Sequence, residues 1–88
     1  MTRVVITAVG TDRIGIVAGI SNAIASVGAN IEDLTSSRLG DKFVMLIVCD
    51  LGKSSFEGLK RAVTSAGEKL GMSVVVQREE IFRAMHRV

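Results

Sequence analysis

Apolar positions along the chain alternate between a strand-like and a helix-like spacing. Val4 to Val9 is a short β-branched run closed by Gly10, which reads as a buried strand because it is too short for a helix. Ile16, Val17, Ile20, Ile24 and Val27 then recur every three or four residues with Ser21, Asn22 and Ser26 between them, and this predicts an amphipathic helix within Ile14 to Val27. Gly28 stands where a left-handed cap would end it. Asn30 opens a second extended stretch, Ile31 to Leu39, whose polar content suits a sheet edge, and Gly40-Asp41 turns the chain. In the third strand, Phe43 to Cys49, both parities are apolar, so both of its faces need cover. Ser54 and Glu57 have capping-box spacing ahead of Phe56, Leu59, Val63, Ala66 and Leu70, a second amphipathic helix that stops at Gly71. Val74 to Val76 gives a fourth strand. The tail, Glu79 to Val88, fits a short helix with Ile81, Phe82 and Met85 on one side.

The two halves of this order echo each other, since Val27-Gly28-Ala29-Asn30-Ile31 matches Leu70-Gly71-Met72-Ser73-Val74 at each junction from helix to strand. Two βαβ-like halves predict an α+β, ferredoxin-like βαββαβ sandwich: a four-stranded antiparallel sheet, two helices on one face, and a helical tail over residues 79–88. Right-handed crossovers put strands one and three in the centre, and these are the two continuously apolar strands. Two helices cover only one side of such a sheet. The tail, a second copy of the domain, or both together are expected to cover the other.

Composition sets limits on function. At 88 residues, 48% apolar and 23% charged with no proline, the chain is one ordinary globular domain, 1–88, without room for a large enclosed catalytic cavity. No apolar stretch approaches the ~18 residues that span a bilayer, and the N-terminus enters a strand without a leader, so no membrane association is expected. Cys49 is a lone cysteine, which makes the cytoplasm the expected compartment, and it reads as a small buried hydrophobe. Eleven basic residues are scattered among nine acidic ones, a net charge of +2 that does not argue for nucleic acid. His86 is the single histidine, so no metal or other cofactor is expected; with Arg83 and Arg87 it would complement the end of the tail helix.

Candidate chemistry concentrates in Gly10-Thr11-Asp12-Arg13-Ile14-Gly15-Ile16, between the first strand and the first helix. The segment is too short for a phosphate loop and lacks its lysine. It does supply helix N-terminal amides, around Ile14 to Val17, that could hold a carboxylate. Gly15 would admit a ligand to the backbone, and Asp12 could accept from an ammonium group, so both ends of an α-amino acid would find partners. Asp12 could equally be the helix N-cap, and Asn30 a turn residue after Gly28. No nucleophile with an adjacent base and no paired carboxylates can be assembled, so no catalysis is expected.

Gly10 to Val17 followed by a helix leading into Val27-Gly28-Ala29-Asn30-Ile31 resembles the ACT domain, over essentially the whole chain. The tail, Ile81 to Val88, is similar to that of small free-standing prokaryotic ACT proteins, and the domain is also similar to the ACT part of the glycine cleavage regulator. The resemblance implies a regulatory, amino-acid-sensing homodimer or higher oligomer with a small amino acid or related carboxylate in the dimer interface. Carried over by position, it implicates Asp12, Gly15, Ile16 and Asn30 in ligand binding. Serine-sensing members have a histidine in place of Gly10 and a proline in place of Ile14, which argues against serine. Three other readings compete. An assembly module without effector has the same fold. An RNA-binding module would need aromatics on its central strands, where only Phe43 is found. An acylphosphatase-like enzyme could use Arg13 and Asn30 but lacks the glycine-rich cradle.

Overall fold

A computed structural model describes residues 2–85 of the chain. Strands β1 (Arg3–Thr11), β2 (Asn30–Leu39), β3 (Lys42–Asp50) and β4 (Met72–Arg78) alternate with helices α1 (Ile16–Ser26) and α2 (Phe56–Leu70), and α3 (Glu79–Met85) follows β4 without a break. The sheet is antiparallel in the order β2-β3-β1-β4, so the two continuously apolar strands are the central ones. This is the expected ferredoxin-like sandwich. Strand ends run a residue or two beyond the apolar runs, because Arg3, Lys42, Asp50 and Arg78 pair through their backbones whatever their side chains do.

The core lies between the sheet and two helices. Ile16, Ile20 and Ile24 of α1 and Leu59 and Val63 of α2 pack on Val4, Ile6 and Ala8 of β1 and on Phe43, Met45, Ile47 and Cys49 of β3. Each fully buried aliphatic side chain here contributes about 1.5 to 3 kcal/mol. Both helices end as expected: Gly28 (φ 87°) and Gly71 (φ 72°) are left-handed, and after α1 the amides of Gly28 and Ala29 donate to the carbonyls of Ala25 and Ile24 in a Schellman pattern.

The helix starts are set by local backbone and side-chain detail. Gly15 has φ 91°, which no helical residue adopts, so within the expected span α1 begins at Ile16. The N-cap of α2 is Ser55 and not Ser54: Ser55 Oγ accepts from Gly58 N at 2.9 Å, while Ser54 Oγ donates to the Leu51 carbonyl at 2.6 Å. The Ser54–Glu57 box is not formed because Ser54 is held in the turn that anchors buried Leu51.

The opposite face of the sheet carries Val5, Thr7 and Val9 of β1, Val44, Leu46 and Val48 of β3, and Val75 and Gln77 of β4, aligned by register. Helix α3 packs on β1 and β4, Gln77 Nε2 donates to Met85 Sδ at 2.9 Å, and Val5 is only 3% exposed. The tail thus covers its own sheet at that end. Cover is partial, since no α3 residue is buried and Val9 and Val75 stay open. His86, Arg87 and Val88, the end of the expected tail helix, lie outside the described residues. Among the described residues no helix is long and apolar enough to cross a membrane.

Candidate functional site

The link from β1 to α1 is fixed by backbone pairing at its start and by a glycine at its end. Thr11 pairs with Lys42, the Asp12 amide donates to the Asp41 carbonyl at 3.0 Å, and the left-handed Gly15 redirects the chain into α1. Ile14, between them, is fully exposed. The loop and the end of β2 enclose a hollow of about 260 Å³ lined by Asp12, Arg13, Gly15, Ile16, Arg38 and Phe43. Ile16 sends its side chain into the core, 2% exposed, so only its backbone can face a ligand.

Asp12 does not cap the helix. Gly15 is the N-cap, no side chain caps α1, and the first turn contains no acidic residue. The Asp12 carboxylate instead accepts from Arg38 Nε at 2.8 Å. Arg13, the other cation of the hollow, donates through Nη1 to the Leu70 carbonyl at 3.4 Å. The hollow therefore combines uncapped helix amides, two guanidinium groups and one carboxylate, a set that favours a small anion or zwitterion over a cation.

Asn30 is elsewhere. It pairs with Asp50 at the far end of β2, beside Arg3, whereas the hollow sits at the Arg38 end. Ten strand residues separate these ends by roughly 30 Å. Exposed Asn30 lines a different hollow of about 660 Å³ together with Arg3, Ile31, Glu32, Val48 and Glu79. In it Arg3 Nε meets Glu32 at 2.9 Å and Arg3 Nη1 meets Glu79 at 3.9 Å, so ion pairs tie β1, β2 and the start of α3 together. Of the four candidates, Asp12, Gly15 and Ile16 are brought together within one protomer and Asn30 is not.

Arg38 had no signal in a local reading. Its nearness to Asp12 follows from the register of β2 on β3 and of β3 on β1, which sets the turn of the β2–β3 hairpin against the loop before α1. Cys49 is buried on the helix-covered face, and burial, with Glu32 adding to it, pushes its thiol up to about 11. Its burial is that of the small buried hydrophobe expected of it.

The chain matches the family model of the ACT domain over residues 2–77. A UPF0237 protein of Methanopyrus kandleri is 49% identical over 90 residues, covering 100% of both chains. Among solved structures, the ACT domain protein from Streptococcus pneumoniae superposes with a TM-score of 0.79 at 36% identity, covering 97% of this chain and 98% of that one. A protein assigned as a glycine cleavage system transcriptional repressor gives a TM-score of 0.80 at 27% identity, with 88% of this chain matching 45% of that one. With nearly its whole length matched to the family model and to full-length relatives, the chain belongs to the ACT domain family.

Proposed function

We propose that the protein is a non-enzymatic regulator that acts as a homodimer and binds a small amino acid or related carboxylate where two copies meet. The observation that carries this reading is the separation of Asn30 from Asp12, Gly15 and Ile16 along β2. A ligand small enough for a 260 Å³ hollow cannot reach all four residues within one protomer. Two copies related by a twofold axis along the β2 edge would resolve this, because antiparallel pairing sets the Leu39 end of one β2 beside the Asn30 end of the other. β2 supports the arrangement as the outer strand of the sheet, with an unpaired backbone edge of ten residues. The ligand carboxylate would rest on the amides at Gly15 and Ile16, and its ammonium group would turn toward Asp12 and the partner's Asn30.

Light scattering at micromolar concentration, combined with a thermal-shift screen of the common amino acids, tests the reading. Twice the chain mass is expected, along with a melting temperature raised by at least one amino acid; at a hundred times Kd the stabilisation is about 2.7 kcal/mol. A monomer at every concentration refutes the shared site. A dimer that no amino acid stabilises favours the assembly module without effector.

A further inference from the structure

The Asp12–Arg38 pair joins the loop before α1 to the end of β2 at the rim of the hollow. Arg38 is 69% exposed on the edge strand, and an ion pair so open to water adds little to stability. The pair nevertheless holds a guanidinium at the mouth of the hollow in a defined direction, because Asp12 is itself pinned by its amide on the Asp41 carbonyl. A guanidinium has five N–H donors and one carboxylate can occupy two at most, so the rest of the Arg38 fork stays available to a second acceptor. Arg13 is differently placed, with its guanidinium turned toward the carbonyl of Leu70 at the end of α2.

We propose that Arg38 is the carboxylate-recognising side chain of this site, acting beside the amides at Gly15 and Ile16, and that Asp12 positions it through one carboxylate oxygen while the other faces the ligand's ammonium group. The proposal rests on the ligand-site reading above and narrows its ligand class. With one cation already shared with an adjacent carboxylate, the hollow matches a single negative charge rather than a phosphate dianion. The ligand is thus a carboxylic acid of a few carbon atoms, and the same molecule with its carboxylate converted to a carboxamide is rejected.

The test is titration calorimetry on the full chain with glycine, L-alanine and L-serine and with the matching carboxamides, repeated for Arg38→Gln, Arg38→Lys and Asp12→Asn. At least one amino acid is expected to bind, with its carboxamide at least tenfold weaker. Arg38→Gln should lower the affinity for the acid at least tenfold and narrow the gap to the carboxamide. Arg38→Lys should retain part of the affinity, and Asp12→Asn should weaken acid and carboxamide alike and also narrow the gap between them, without shifting the ligand-free melting temperature. If an amino acid binds and Arg38→Gln binds it as well as the parent protein does, the assignment of Arg38 falls and the ligand site stands. If the parent protein binds none of the amino acids at millimolar concentration, both fall.

Discussion

Met72 occupies the space that a side chain at Gly10 would need. A Cβ on Gly10 would come within 2.5 Å of Met72 Sδ and 2.8 Å of the Gly71 carbonyl oxygen. The end of β1 therefore touches the junction of α2 and β4 backbone to backbone, just before the loop that forms the hollow. A side chain of any size at this position does not fit this packing without a shift of its neighbours. We expect Gly10→Ala to destabilise the protein by about 1 to 3 kcal/mol, measured by urea unfolding. In a Met72→Ala background, where the cavity has its own cost, the same substitution should be less damaging yet still destabilising, since the Gly71 carbonyl is backbone and cannot withdraw. No further loss in that background would show that the sulfur alone sets the limit.

The two serines before α2 should separate cleanly. Ser55→Ala removes the acceptor for the Gly58 amide and is expected to cost about 0.5 to 2 kcal/mol, as for other lost N-caps. Ser54→Ala removes only a hydroxyl that donates to the Leu51 carbonyl, so its effect should be smaller. Chemical denaturation of both variants gives the order, and a larger loss at Ser54 would reinstate the capping box.

Cys49 gives a pH dependence of definite sign. Its thiol is raised from 9.0 to about 11 by burial and by Glu32. The unfolded chain releases this proton at lower pH than the folded one, so the contribution of Cys49 to stability is complete below pH 9 and falls as pH rises from there toward 11. Over that window the loss amounts to about 2 to 3 kcal/mol. Urea midpoints between pH 8 and 11 should fall, and Cys49→Ala should flatten the part of the fall due to the thiol. Rapid reaction of Cys49 with a thiol reagent at pH 8 would contradict this.

Helix α3 should open before the rest of the molecule. It contains no buried residue and is tied at its start by Glu79 to Arg3 and at its end by Met85 to Gln77. Native-state hydrogen exchange should show its amides exchanging faster than those of β1 and β3. Glu79→Gln should speed α3 further and leave the central strands unchanged. Equal protection across all three would mean that the tail is part of the cooperative core.

The fold was largely legible in the sequence because its signals are local. The heptad-like spacing from Ile16 to Val27, the doubled apolar parity of Phe43 to Cys49, and the glycines at 28 and 71 each report on a few neighbouring residues, and each lies where it was expected. Within the expected span the start of α1 is set by the structure, because Ile14 satisfies the apolar period yet precedes a glycine whose φ excludes it from the helix. The cap of α2 was misjudged by one residue because two adjacent serines offer the same chemistry, and the choice between them depends on the turn anchored by Leu51.

What the sequence determined by itself was the order of elements and the identity of the central strands, since hydrophobic period and turn residues act over short separations. The tertiary structure decided which charges meet. Asp12 and Arg38 are separated by an entire helix and strand, and they become neighbours only through the register of β2 on β3 and of β3 on β1. The same register carries Asn30 to the opposite end of the sheet, although Asn30 lies nearer to the loop in sequence than Arg38 does. A side chain's partners across a sheet are set by strand order and pairing, and a one-residue change of register would exchange every one of them.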